Sequence, residues 1–123
     1  MLKKFLIYDK WLNDKKVGIL TYDDNTSEFS IEVDKNLTPQ EAPFIFEHFM
    51  EKGQYTIPKE WSLKWVQERI IPSNRQLIGV IMRNLGVPEY TEYNMLIAMG
   101  GRCTNDGCYI VPLNNDMSFE GGF

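Results

Sequence analysis

Residues 60–85, EWSLKWVQERIIPSNRQLIGVIMRNL, decide how the rest of the chain can be arranged. The pattern predicts two helices separated at Ile71-Pro72-Ser73, because proline supplies no N–H and disfavours helical backbone at the residue before it. After the break, Ser73-Asn74-Arg75-Gln76 has the residue types of a capping box. A strongly amphipathic helix is expected to follow and to end at Gly86, with apolar residues at steps of one, three and four: Leu77, Ile78, Ile81, Met82 and Leu85.

The helix before the break carries two apolar stripes. Leu63, Val66 and Ile70 recur at steps of three and four and form the first stripe. Trp61 and Trp65 are four residues apart and form the second. A helix in a small domain needs one stripe to face its core, so the second stripe is a candidate binding surface.

Strand patterns occupy the first third of the chain. Residues 5–8 are rich in strand-forming residue types, and residues 15–22 contain a second such run. Residues 28–33 alternate apolar and polar side chains, as a half-buried strand does. The turns at Asn13-Asp14 and Asp23-Asp24-Asn25 are short. We therefore expect a three-stranded antiparallel meander.

The remaining segments complete an α+β pattern. Thr38-Pro39-Gln40-Glu41 resembles a capping box with proline at the first helical position, and predicts a helix to about Lys52. Residues 89–99 predict a further helix, which Gly100-Gly101 would end, and residues 108–113 predict a returning strand. About four helices with these strands give one α+β domain over residues 1–117. Residues 118–123 are expected to form a flexible tail.

Composition limits the class of protein. A length of 123 residues fits one domain. The formal net charge is −4 and the basic residues are scattered, which argues against direct binding to nucleic acid. No stretch approaches the ~18 apolar residues of a membrane span, and the first apolar run is too short for a signal peptide. We therefore expect a cytoplasmic protein without a membrane partner.

Residue types that carry chemistry are few. Cys103 and Cys108, with the single histidine His48, supply fewer ligands than the four of a structural zinc site. The cysteines are interpreted as two small thiols beside a turn, with a reversible disulfide as the alternative. A cysteine nucleophile paired with His48 has no local support. We predict no metal, no cofactor and no enzymatic activity.

The candidate site is a surface for a protein partner. Tryptophan, tyrosine and arginine dominate interface hot spots. Trp61 and Trp65 would be the anchors, Arg69 lies one turn further along, and Arg75 at the mouth of the next helix would extend the patch. The competing interpretation is that these rings cover the edge of the core.

Several of these segments, taken together, resemble the N-terminal subdomain of HipA-type toxin kinases. Residues 17–21 (VGILT) look like the early Val-Gly-x-Leu-Thr strand of that family, and residues 29–31 (FSI) like its next strand. Residues 65–73 (WVQERIIPS) resemble its acid-rich helical turn followed by Leu-Leu-Pro-Asp/Glu-Ser. Residues 92–102 (EYNMLIAMGGR) resemble its Phe-Asp-Leu-Leu-x-x-Ile-Gly-Arg stretch, and residues 109–112 (YIVP) its closing strand.

The resemblance implies a stand-alone version of that subdomain. No kinase core follows it in this chain, so none of the family's ATP-binding or catalytic residues is carried over. In bacterial split toxin–antitoxin systems, such a small protein accompanies a separate HipA-like Ser/Thr kinase and a helix-turn-helix protein, and can restrain the kinase. Two alternatives stay open: a self-associating structural domain, and a small enzyme that uses Cys103 or Cys108.

Overall fold

The structure is a computed structural model that describes residues 1–113. Its strands are β1 (Leu2–Asp9), β2 (Lys15–Asp23), β3 (Glu28–Val33), β4 (Thr56–Ile57) and β5 (Cys108–Pro112). Its helices are α1 (Phe44–Met50), α2 (Lys59–Gln67), α3 (Ile78–Leu85) and α4 (Glu92–Met99), with short 3-10 turns at Lys10–Leu12 and Pro39–Glu41. The predicted tail, residues 118–123, lies outside the described residues.

The strands form one antiparallel sheet in the order β4-β3-β2-β1-β5. The predicted α+β class and the N-terminal meander are confirmed. The returning strand is also confirmed, since β5 pairs with β1. One strand was missed: Thr56–Ile57 pairs with Ile31 and Glu32 and adds a short fifth strand. Two residues are too few for a detectable alternating pattern.

The core lies on one face of the sheet. Alternate residues of β1, β2 and β3 are buried there, because successive side chains of a strand point to opposite faces. The helices cover this face with fully buried side chains from three of them. These are Phe46 of α1, Trp65 and Val66 of α2, and Met95 and Leu96 of α4.

The free edge of β5 has no N–H available for another strand. Cys108 N donates to Asp106 Oδ1 at 2.9 Å. Ile110 N donates to the carbonyl of Gly100 at 3.0 Å, and Pro112 has no N–H. Exposed strand edges invite pairing with other chains, and these three features close the edge to it.

The predicted helix from Thr38 to Lys52 is split. The capping pair forms, with Thr38 N donating to Glu41 Oε1 at 3.0 Å, but it opens only a 3-10 turn. Ala42 is extended (φ −80°, ψ 147°), because the following Pro43 disfavours helical backbone there. The helix proper, α1, begins at Phe44.

The predicted capping box at residues 73–76 is wrong. Helix α3 begins at Ile78, and no side chain caps it. Turns at residues 72–78 replace the box: Arg75 N donates to Pro72 O at 3.1 Å and Ile78 N to Arg75 O at 3.2 Å. The residue before the helix, Leu77, has a left-handed φ of 61°, which is uncommon for a leucine.

The predicted end of α4 at Gly100-Gly101 is confirmed. Gly101 also lies too close to Ile110 to leave room for a side chain. Gly100 and Gly101 both have positive φ (67° and 70°). A Cβ at Gly101 would lie 2.9 Å from Cγ2 of Ile110 on β5, whereas a Cβ at Gly86, also at positive φ, would meet nothing within 4 Å. Alanine substitutions at Gly86 and Gly101 can therefore be compared to separate the cost of backbone strain from the cost of crowding.

Gly101→Ala is expected to lower the free energy of unfolding by about 2–4 kcal/mol, the sum of left-handed strain and overpacking. Gly86→Ala should cost only the strain, about 1 kcal/mol. Urea unfolding of both variants measures the difference. Equal losses would show that the contact with Ile110 relaxes without cost.

Candidate functional site

Trp65 belongs to the core. Its side chain is 1% exposed, and its ring lies 6.3 Å from that of Phe46, nearly parallel to it. The buried residues of α2 are Ser62, Trp65 and Val66, which span about 100° of the helix. The inward face therefore runs between the two predicted stripes and takes a residue from each. The prediction that Trp65 is a surface anchor is wrong in this structure.

Arg69 is also buried, at 1% exposure, so the prediction that it borders an exposed patch is wrong as well. Its guanidinium lies 3.6 Å from the centre of the Trp65 ring. Its Nη1 donates to the carbonyl of Trp65 at 2.9 Å, and its Nη2 pairs with Asp106. Stacking, a hydrogen bond and an ion pair together offset the cost of burying a charge.

Asp106 connects this arginine to the approach of β5. Its second oxygen, Oδ1, accepts from Cys108 N at 2.9 Å and lies 3.8 Å from Cys103 Sγ. Arg69 thus fastens the chain just after α2 to the loop before β5 through Asp106, which lies 37 positions further along. The cluster serves the fold, because Arg69 has no solvent exposure and Asp106, 20% exposed, directs one oxygen to it and the other to Cys108 N.

Asp9 is a second carboxylate near Arg69, and unlike Asp106 it is buried. Burial raises the pKa of Asp9 above the ordinary 3.8 and is the largest effect. The hydrogen bond from Trp11 N lowers this pKa, the charge of Asp106 raises it, and the charge of Arg69 lowers it. The bond from Trp11 N to Asp9 Oδ1 is 2.9 Å long. Because the folded state holds this proton more tightly than the unfolded state does, ionisation of Asp9 costs stability as the pH rises above about 3.8.

Asp9→Asn is therefore expected to raise the thermal midpoint at pH 7. The amide oxygen still accepts from Trp11 N, and the buried charge is gone. The gain should shrink as the pH is lowered through the raised pKa of Asp9, because Asp9 itself then takes up a proton and the buried charge disappears from the parent protein. Thermal unfolding followed by circular dichroism across this range tests it. A variant less stable than the parent at pH 7 would contradict the expected sign.

The cysteines are both free thiols. Cys108 is buried, and burial raises the pKa of its thiol, with a smaller contribution in the same direction from Asp106. A high thiol pKa disfavours the thiolate that a nucleophile needs. Cys103 is half-buried. Within residues 1–113, no three side chains of His, Cys, Asp or Glu gather as metal ligands.

Trp61 and Arg75 remain at the surface. Trp61 is 43% exposed, its ring meets that of Phe49 edge-on at 6.1 Å, and Lys64 Nζ lies 5.5 Å from its centre. Arg75 is exposed in the turn before α3. The structure therefore brings Trp65 and Arg69 together in the interior of the domain. Trp61 and Arg75, the other two predicted site residues, lie on its surface.

Helix α3 carries apolar side chains that the domain does not bury. None of its eight residues is buried. Leu77 before it is 69% exposed and Leu85 is 36% exposed, while Ile78 and Ile81 are half-exposed. Met82 alone of the helix packs against the core. We define the α3 face as Leu77, Ile78, Ile81 and Leu85.

Two features of the molecular surface were not accessible from the sequence: the exposure of the α3 face and that of Trp11. The sequence predicted an amphipathic helix here, and periodicity cannot show whether a neighbour covers its apolar side. Trp11, the most exposed tryptophan at 69%, lies in the turn after β1, and no pattern pointed to it.

Comparisons with known proteins leave the family open. A scan against protein-family models and searches of curated proteins and solved structures return no match. Among the described helices, none has both the length and the apolar character needed to cross a lipid bilayer.

Proposed function

We propose that this chain is a non-enzymatic binding module of the bacterial cytoplasm that docks on a separate HipA-like Ser/Thr kinase and regulates it in a split toxin–antitoxin system. The α3 face makes the contact, with Arg75 at its border. The observation that carries the docking role is an amphipathic helix whose apolar side chains are not buried. The identity of the partner is inferred from the sequence resemblance to the N-terminal subdomain of HipA-type kinases.

Leu77 supports a role outside the fold. It is a large apolar residue at 69% exposure, and it has a left-handed backbone at φ 61°. A left-handed backbone costs a leucine about 1–2 kcal/mol. Because the Leu77 side chain is mostly exposed, its burial offsets little of this cost. An exposed leucine held at a backbone cost is better explained by contact with a partner.

The test is an affinity pull-down of the tagged protein from its own cells, with bound proteins identified by mass spectrometry. Recovery of a HipA-like kinase, lost with Ile81→Asp, would support the proposal. The purified kinase should then change its phosphorylation rate when the parent protein is added. Binding without any change in rate would remove the regulatory part of the proposal.

The competing function is self-association through the same face. Only one residue of α3, Arg83, is charged, so two copies would not repel strongly there. Sedimentation of the purified protein decides between the two. A dimer at micromolar concentration that Ile81→Asp dissociates would favour the structural alternative.

A further inference from the structure

A cleft of about 630 Å³ lies between α4 and the sheet, and we name it the α4 cleft. Its volume is within the range of small-molecule sites in proteins. One wall is a single face of the helix, because side chains spaced three and four residues apart share a side. The residues of this wall are Tyr93, Ile97 and Gly100. The opposite wall comes from β1, from β5 and from the residue after β5, and it consists of Phe5, Ile110 and Leu113.

The cleft is open because β5 covers only part of β1. Within residues 1–113, β5 pairs with residues 5–9 of β1, and Leu113 N donates to the carbonyl of Lys4 at 2.9 Å just beyond that pairing. The first residues of β1 therefore have β2 as their only described strand neighbour. Apolar side chains around this opening stay accessible: Leu2 is 57% exposed, Ile97 41% and Leu113 38%.

The α4 cleft is charged at one end and apolar at the other. Lys3 and Lys4 line the end at the start of β1, and Lys3 Nζ lies 4.9 Å from the centre of the Tyr93 ring. Ile110 lines the other end, opposite Ile7 of β1. The distance along β1 from Lys3 to Ile7 is about 13 Å at the usual rise of a strand. The cleft therefore suits an elongated ligand with one charged end.

The two lysines are not matched by carboxylates in the lining of the cleft. Among residues 1–113, no acidic residue lines it, and neither lysine takes part in an ion pair. Three carboxylates flank this end from outside, and each has a partner of its own: Asp24 pairs with the amino group of Met1 at 2.9 Å, Asp23 accepts from Asn25 N at 2.9 Å, and Glu92 accepts from Gln67 Nε2 at 3.2 Å. An anion inside the cleft would therefore meet ammonium groups and no carboxylate of the lining.

We infer that the α4 cleft binds a fatty acid, with its carboxylate at Lys3 and Lys4 and its chain between α4 and the strands. The chain would remove Ile97 and Leu113 from water, which favours binding in proportion to the apolar area covered. The lysine ammonium groups would donate charge-assisted hydrogen bonds to the carboxylate. No residue of the α3 face lines this cleft, so the fatty acid and a protein partner on that face would not compete for the same residues.

The apolar walls select against ligands that need many hydrogen bonds. The side chains of Phe5, Ile97, Ile110 and Leu113 have no polar atom, so a nucleotide or a sugar would lose water in the cleft without gaining partners. Two amides that border the cleft are already bonded within the domain: Ile110 N donates to the carbonyl of Gly100 at 3.0 Å, and Leu113 N to that of Lys4. They are therefore not available to the backbone of a bound peptide.

The experiment is titration of the ¹⁵N-labelled full chain with three probes: dodecanoate, dodecyltrimethylammonium, and a short peptide of leucines and glutamates. We expect dodecanoate to shift the amides of Ile97, Gly100 and Leu113 and to saturate below about 1 mM. Dodecyltrimethylammonium has the same chain with the opposite charge, and should bind at least about tenfold more weakly because Lys3 and Lys4 repel it. The peptide should bind more weakly than dodecanoate.

Neutral substitutions test the charged end. Lys3→Gln with Lys4→Gln should weaken dodecanoate at least about fivefold and remove the preference for it over dodecyltrimethylammonium. The control is Lys35→Gln with Lys52→Gln, which changes the net charge equally at two exposed lysines outside the cleft. This control should leave both affinities unchanged. An equal loss in the two double variants would contradict a carboxylate site at Lys3 and Lys4.

An added carboxylate tests the apolar wall. Ile97→Asp should weaken dodecanoate at least about tenfold, whereas Val80→Asp on α3 should have no effect, although both parent residues are 41% exposed. Four results would overturn the inference: equal binding of dodecyltrimethylammonium, tighter binding of the peptide, no saturable shift by about 1 mM dodecanoate, or shifts of the cleft amides when the free protein is diluted, which would assign the cleft to a second copy. No kinase is present in this experiment, so its outcome is independent of the proposed regulatory function.

Discussion

Asp106→Asn is expected to destabilise the fold by about 3–5 kcal/mol, the usual cost of leaving a buried charge without its partner. The asparagine oxygen can still accept from Cys108 N, so the variant removes the charge and keeps that bond. Arg69, whose side chain has no solvent exposure, would be left with an amide group in place of a carboxylate. For a domain of ordinary stability this is a large share of the total free energy of unfolding.

Glu68 supplies the matched control. Its carboxylate lies 3.6 Å from Arg69 Nη1, but half of the Glu68 side chain is exposed. Exposed ion pairs contribute little, so Glu68→Gln should change the free energy of unfolding by less than about 1 kcal/mol. Urea unfolding of both variants makes the comparison. Equal effects would mean that Asp106 is not the counter-charge that holds Arg69.

A double substitution tests the cause. Arg69→Met keeps apolar packing on Trp65 and removes the buried cation. In the Asp106→Asn background it should recover much of the lost stability, since buried ion pairs can often be replaced by apolar residues at little cost. A double variant that is less stable than Asp106→Asn alone would assign the effect to packing instead of charge.

Ile81→Asp is expected to weaken binding to the HipA-like kinase by at least about 30-fold, the ~2 kcal/mol threshold of an interface hot spot. A carboxylate placed in an apolar contact must lose its water without gaining a partner. Because Ile81 is only half-buried in the free domain, the fold itself should lose no more than about 1 kcal/mol. Isothermal titration calorimetry and urea unfolding measure the two quantities.

Val80 is the control for this helix. It is 41% exposed and lies more than 100° around the helix from the centre of the α3 face. Val80→Asp introduces the same charge into the same helix and should leave kinase affinity within about twofold. If both aspartates abolish binding equally, the effect comes from charge or helix stability and the α3 face is not the contact.

In the Leu77→Gly variant, a loss of kinase affinity could not be explained by unfolding of the domain. Glycine adopts the left-handed backbone of this position without strain, so the folded domain should be at least as stable as the parent. Loss of kinase affinity in this variant would come from the missing side chain. Unchanged affinity would remove Leu77 from the contact.

Local patterns in the sequence determined several elements. The alternation of residues 28–33 gave β3, the pair Thr38 and Glu41 gave a capped turn, and Gly100-Gly101 marked the end of α4. Each of these depends on residues close together in the chain, where backbone geometry and side-chain spacing leave few alternatives.

The positions of the predicted site residues depend on contacts between distant parts of the chain. Trp65 and Arg69 are buried because α2 packs on β3 and because Asp106, distant in sequence, supplies the counter-charge. The apolar side of α3 is only partly covered: Met82 packs against the core, and none of the eight residues of the helix is buried. Periodicity shows that apolar residues share a side of a helix. Which side receives a neighbour depends on contacts between residues far apart in the chain, and a local pattern does not contain them.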